Sequence, residues 1–210
     1  EKFYHPTGVA VTIADNLDDS AFKERLEKIN NLKFTRVGTD IEIDLIALQD
    51  KSGDASKFSE KAKEVCNSTH LSIILESKSV DTMKAVLESC ADKRPLIHGA
   101  NSENWEPMAQ LAKEKGCPLT VSAPSLEELA DLTEKIKGVG VEELVLHQSS
   151  SNTKEVLQGL TKIRRAALRK AFRPLGYPAL TYMGNGNPDS EIASASAFIA
   201  KYAGIVVVDS

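Results

Sequence analysis

Four carboxylates, two histidines and a few amides and hydroxyls recur at one kind of position in this sequence, the end of a short apolar run. Asp15 closes Val9–Asp15, Asp50 closes Asp44–Asp50 beside Gln49, Glu76 falls near the end of Leu71–Ser77, and Asp209 near the end of Gly204–Ser210. His98 and Asn101 belong to Pro95–Asn101, Ser122 to Pro118–Pro124, His147 and Gln148 to Glu143–Ser149, and Asn185 follows Pro178–Gly184. Acids brought together could hold a cation or move a proton. An imidazole that titrates near neutrality could act as acid and base. The plainer reading makes the acids a solvated rim that caps the following helices, and the histidines ordinary hydrogen-bonded side chains. Neither histidine has a Cys, a second His or a carboxylate at ligand spacing, so the plainer reading is favoured.

Three other features have less chemistry in them. Gly184-Asn-Gly-Asn187 before Pro188 could present backbone N–H groups to an anion, but any tight loop into a helix looks the same. The run from Lys162 to Arg173 holds Lys162, Arg164, Arg165, Arg169, Lys170 and Arg173, a concentration of charge that reads as a solvated helix face or a docking surface. Cys66, Cys90 and Cys117 are odd in number and lack metal-type spacing, as expected of reduced, partly buried thiols in a cytoplasmic protein. His5 and His70 fall away from the strand ends and read as structural.

The runs that carry these residues must be strands, and what separates them is helical. Seven stretches show apolar residues at three-and-four spacing: Asp19–Leu32, Ala55–Asn67, Val80–Ala91, Glu103–Lys115, Leu126–Lys137, Thr153–Lys170 and Ser190–Tyr202. Phe22, Leu26 and Ile29 mark one such face; Leu126, Leu129, Leu132 and Ile136 mark another. Ser125-Leu-Glu-Glu128 is a capping-box start, and Gly116, Gly138 and Gly204 are expected helix stops. The strands are apolar at consecutive positions, as in a parallel sheet covered by helices. Strict alternation through eight strands with right-handed crossovers gives an open doubly wound sheet or a closed (β/α)8 barrel. The count, the even spacing and the absence of a Gly-rich fingerprint after the first strand favour a TIM barrel. It is read as a single domain over residues 1–210, cut from a longer protein, with its last outer helix missing. Ile205 or Val207 of the last strand is then expected to be exposed. Lys33–Ile43 is expected to be an irregular connection.

Composition narrows the partners. With 41% apolar and 27% charged residues, a net charge of −4 and interspersed signs, no nucleic-acid or anionic-membrane surface is expected. No apolar run approaches the roughly 18 residues of a membrane span.

Several phrases resemble a known family. They are Lys2-Phe-Tyr-His-Pro-Thr-Gly-Val-Ala-Val-Thr12, Arg94-Pro-Leu-Ile97 followed by Asn101-Ser-Glu-Asn-Trp105, Leu175-Gly-Tyr-Pro178, and Ile199-Ala-Lys-Tyr-Ala-Gly-Ile-Val-Val-Val208. Together they resemble the large (gamma) subunit of the corrinoid iron–sulfur protein of the acetyl-CoA decarbonylase/synthase system. The resemblance implies an iron–sulfur domain before the barrel and a corrinoid-binding domain after it, with both cofactors absent from this chain. It implies a methyl carrier. A methyltransferase delivers the methyl group from methyltetrahydrofolate or a related pterin, and acetyl-CoA synthase receives it. It also implies a small (delta) barrel subunit as partner. No ligand of either cofactor maps onto a residue here. Two functions stay open: a scaffold and docking barrel, or a barrel enzyme with its own small-molecule site, a methylpterin-binding methyltransferase. Whether the barrel mouth is plugged or open separates them.

Overall fold

The eight parallel strands curl until the last of the chain lies against the first. In the computed structural model, which describes residues 5–150, 152–183 and 187–209, the chain runs β1 (Gly8–Ala14), α1 (Asp19–Asn30), β2 (Lys33–Arg36), β3 (Thr39–Glu42), β4 (Leu45–Gln49), α2 (Ala55–Ser68), β5 (Ser72–Glu76) and α3 (Val80–Cys90). It continues β6 (Leu96–Ala100), α4 (Trp105–Lys115), β7 (Leu119–Ala123), α5 (Leu126–Val139), β8 (Leu144–Gln148), α6 (Thr153–Arg169), β9 (Leu180–Tyr182), α7 (Pro188–Ala200) and β10 (Ile205–Val208). The order around the sheet is β8-β7-β6-β5-β4-β1-β10-β9. Gly8 to Val11 pair in parallel with Ile205 to Val208, joining the first strand to the last. A single bridge, Leu146 with Ala179, brings β9 to β8 and nearly closes the ring. The expected barrel is therefore present.

Period-two alternation divides each strand between two cores. Inward residues Ala10, Ala47, Ile74, Leu96, Val145, Leu180 and Val207 fill the barrel. Outward residues such as Val11, Ile46, Leu75 and Ile97 meet Phe22, Phe58, Met83 and Met108 of the helices. Val207 is thus inside the barrel, and its neighbour Val206 packs outward with Phe198 of α7; both are about 1% exposed. The expected exposure of Val207 is not found, because β10 lies between β1 and β9 and α7 returns across its outer face.

The helix starts share one device. Asp18, Asp54, Ser79, Ser125, Asn152 and Asn187 each accept a backbone N–H from the first turn of the helix that follows. Two stops differ from expectation. The fifth helix runs through Gly138 and ends at Gly140, which carries the left-handed φ of 104°. After α7 the left-handed residue is Tyr202, not Gly204.

The segment from Lys33 is not irregular. β2 and β3 form an antiparallel hairpin, with Phe34 opposite Ile41 on one face and Lys33 opposite Glu42, Thr35 opposite Asp40, on the other. Positive φ at both Val37 and Gly38 gives the mirror-image turn that suits strand twist. All eight strand residues are exposed, so no burial pattern marked them in the sequence.

Candidate functional site

One inward step beyond the apolar fill, the alternation places Gln49, Glu76, His98, His147 and Tyr182. Each stands two residues after a core residue: Ala47, Ile74, Leu96, Val145 and Leu180. These five side chains form the floor of an open cavity of about 510 Å³ at the C-terminal ends of the strands, where barrels of this kind carry their sites. Ser122, Asn101 and Met183 line its wall, and Lys51 and Lys78 stand at its rim.

Glu76 Oε2 accepts hydrogen bonds from Gln49 Nε2 (2.9 Å) and from the Tyr182 hydroxyl (2.8 Å). Burial, with the Glu76 charge beside it, raises the Tyr182 phenol well above its usual range, so it stays a donor. The rings of His98, His147 and Tyr182 contact one another pairwise, with centroids 5.0, 5.4 and 5.3 Å apart. Burial pushes His98 down to about 4. It pushes His147 to about 3, assisted by His98 and opposed by the Glu76 charge. Both imidazoles are therefore neutral at physiological pH and cannot serve there as proton donors of imidazolium type. His147 Nδ1 lies 3.2 Å from the Ser122 hydroxyl. His98 Nδ1 is buried with no hydrogen-bond partner among the described residues. The chemistry available is hydrogen bonding and ring stacking against a neutral ligand face, with one carboxylate at the side.

The four acids do not converge. Asp15 is fully buried and accepts from the backbone N–H groups of Lys51 (2.8 Å) and Ser52 (2.9 Å) and from the Ser52 hydroxyl. Asp50 accepts from Gly53 N–H at 3.0 Å and from the Ser77 hydroxyl at 2.7 Å. Asp209 lies outside the cavity, hydrogen-bonded to Thr12 and 3.9 Å from Arg25, with its side chain 76% exposed. Only Glu76 enters the pocket floor. Asn101 is at the wall with its Oδ1 engaged by Glu103 N–H (2.8 Å). Asn185 lies outside the described residues. Gln49, at a strand end as expected, is on the floor; Tyr182 was available to the sequence as an inward position, had the register been read from Leu180.

Asp15 is thus a bracket for the β4–α2 loop. Asp15→Ala is expected to destabilise the protein by about 2 kcal/mol, since it removes a buried charged acceptor of three part-buried hydrogen bonds. Urea unfolding checks this; unchanged stability would return Asp15 to the list of site residues.

A protein-family model described as CO dehydrogenase/acetyl-CoA synthase delta subunit matches residues 1–210. The chain belongs to this family. Among relatives of this CO dehydrogenase/acetyl-CoA synthase family member, the corrinoid/iron-sulfur protein large subunit of Moorella thermoacetica is 38% identical over 208 residues, 99% of this chain and 47% of the relative. The acetyl-CoA decarbonylase/synthase complex subunit gamma of Methanothermobacter thermautotrophicus is 30% identical over 219 residues, 98% of this chain and 48% of the relative. The chain spans about half the length of these curated relatives. The family description names a delta subunit, whereas both relatives are named large or gamma. Solved structures share the fold. The 7,8-dihydropteroate synthase of Vibrio fischeri ES114 matches with a TM-score of 0.74 at 12% identity, over 97% of this chain and 87% of that one. A dihydropteroate synthase from Coxiella burnetii, solved with pteroic acid, gives the same TM-score and identity over 99% and 88%. At such identity the likeness concerns the barrel alone.

The name of the Moorella thermoacetica relative raises a corrinoid and an iron–sulfur cluster. The cysteines of this chain do not fit a cluster: Cys66 is on α2, Cys90 on α3 and Cys117 precedes β7, all buried in the outer core. Among the described residues no group of three or more His, Cys, Asp and Glu side chains is arranged to hold a metal ion. On the pocket floor His98 is only 5% exposed, and the half-buried His147 has its Nδ1 at the Ser122 hydroxyl. No described helix is long and apolar enough to cross a membrane.

Proposed function

We propose that this chain is the barrel domain of the large (gamma) subunit of a corrinoid iron–sulfur methyl-carrier protein, serving as scaffold and docking body. The observation that carries the reading is identity at the 38% level across 99% of the chain with a relative named for that subunit. On this reading the corrinoid and the cluster belong to other segments of the full subunit. The barrel meets a small (delta) barrel subunit, and the assembled carrier works between a methyltetrahydrofolate or methylpterin methyltransferase and acetyl-CoA synthase.

A second reading has its own support in the open cavity, whose floor gathers Glu76, His98, His147 and Tyr182. A scaffold has no need of such a cavity, whereas a barrel enzyme acting on a methylpterin would use it. One experiment separates the two. The purified chain is mixed with methyltetrahydrofolate and free reduced cobalamin, and cobalt absorbance is followed. The scaffold reading expects no methylcobalamin above a protein-free control, with association to the small barrel subunit retained. Methylcobalamin above that control, lost in Glu76→Gln, would give the activity to the barrel itself.

A further inference from the structure

The outer wall of the barrel carries a second cavity, about 820 Å³, between α5, the C-terminal half of α6 and the 3-10 turn Arg173–Leu175. Its floor is apolar, built from Leu126, Ala130, Ala166, Phe172 and Leu175. One lip is a stripe of cations. Lys162, Arg165 and Arg169 follow at spacings of three and four along α6, which puts them on one face, and Lys170 continues it. Among the described residues none of the four lies within ion-pair distance of an acid. The opposite lip is α5, with Glu127 and Asp131 four residues apart. Phe172, on the floor, is 42% exposed.

Helix-terminal electrostatics accounts for part of this only. Cations in the last turn of α6 suit its C-terminus, but the effect fades within one turn, and Lys162 and Arg165 lie further back. Arg164, between them, is engaged with the Tyr202 ring 5.1 Å away and does not belong to the stripe. Six cations and no acid fall within Lys162–Arg173, in a chain whose net charge is −4. Such a concentration repels itself unless something negative lies against it.

We propose that the α5–α6 groove receives an amphipathic helix of a partner protein, with apolar residues on the floor and an acidic flank along the α6 stripe. A helix seated between two helices presents apolar anchors to the floor and its flanks to both lips. The two lips fix its direction, because an acidic flank is drawn to Lys162, Arg165 and Arg169 and rejected by Glu127 and Asp131. Nucleic acid fits less well, since the same acids repel phosphate and the floor is aliphatic apart from a single ring, Phe172. A second copy of this chain would bring one cation stripe toward another. The groove gives the docking role a surface, but its evidence is the charge pattern and not the family.

The test uses the whole chain and a fluorescein-labelled synthetic helix of about 18 residues, five turns, with a leucine stripe and glutamates on one flank. Fluorescence anisotropy is expected to show binding that weakens at least tenfold in Arg165→Glu/Arg169→Glu. Binding should also weaken when salt is raised from about 0.05 to 0.5 M, where the screening length falls several-fold. The same peptide with lysines in place of the glutamates is expected not to bind. The altered arginines are exposed, so thermal melting should be unchanged; if the double variant unfolds, Arg165→Gln/Arg169→Gln takes its place. Absent binding, equal binding of both peptides, or indifference to the substitutions overturns the proposal. So does displacement of the peptide by an oligonucleotide, or wild-type self-association that the double variant abolishes. Binding of the small barrel subunit is measured alongside: retained there but with no acidic peptide bound, the docking reading stands and the groove assignment falls.

Discussion

Between pH 6.5 and about pH 4 the protein is expected to lose roughly 3 kcal/mol of stability through His98 alone. Burial holds the folded imidazole at about 4 against its ordinary 6.5. The unfolded chain therefore accepts a proton across this window that the folded chain refuses, and acid favours unfolding. Above pH 6.5 both states are neutral at this residue and its contribution is flat; below about pH 4 both are charged and the loss is complete. His147 acts in the same direction to about pH 3. The two losses fall short of additive, because the ring centroids are 5.0 Å apart and either charge opposes the other. Urea unfolding from pH 4 to pH 7 measures the slope in the wild type and in His98→Leu, with His98→Gln held ready should the leucine variant fail to fold. The variant should lose about 3 kcal/mol less across the window. Parallel curves would mean that His98 titrates at no cost, and that the pocket floor is wet enough to solvate a charged imidazole.

The sequence showed the barrel because each strand had to satisfy two apolar environments at once. Consecutive apolar runs such as Ile205-Val-Val-Val208 leave few alternatives when helices alternate with them. It showed the level of the mouth, too, but not which residues share it. Asp15 and Asp50 end neighbouring strands, as expected, yet their oxygens are taken by N–H groups and hydroxyls of loop residues, Lys51, Ser52 and Gly53 after β4 and Ser77 after β5. A one-residue change in register decides whether a strand-end side chain faces the cavity or the loop, and a run that is apolar on both faces conceals its register. Tyr182 was passed over for that reason. It sits in an apolar run and looks like core, but its hydroxyl reaches Glu76 across the floor. The hairpin at Lys33 escaped for the opposite reason. With both faces exposed it has only cross-strand pairs and the Val37-Gly38 turn to define it, and neither leaves a periodic signal.

The largest single-residue effect at the pocket is expected from Gly99→Ala. Gly99 follows His98 on β6, where the pairing with β7 slips by one residue, and its φ of 144° is a conformation that L residues rarely adopt. A methyl group there would stand 2.0 Å from the Ser77 carbonyl oxygen, 2.8 Å from its carbon and 3.3 Å from Lys78 N. These are backbone atoms at the end of β5, and they are pinned. Ser77 N–H donates to the His98 carbonyl at 3.0 Å, and Asn104 Nδ2 donates to both the Lys78 and Gly99 carbonyls, at 2.8 and 3.1 Å. Backbone strain of about 1–3 kcal/mol and overpacking of a similar size sum to a loss of about 4 kcal/mol, a large share of a domain's stability. For a chain of this length that lowers the melting temperature by about 12 °C. Gly116→Ala is the control: its φ of 64° is also left-handed, but nothing lies within 4 Å of the added carbon. Only the conformational cost of about 1 kcal/mol applies there. Melting curves of the two variants separate the close approach of β5 and β6 from the glycine preference for positive φ. If both fall equally, the Ser77 backbone yields to the methyl group. If Gly99→Ala falls three- to fourfold further, with a shifted His98 ring resonance, contact between the strands holds the pocket floor in place.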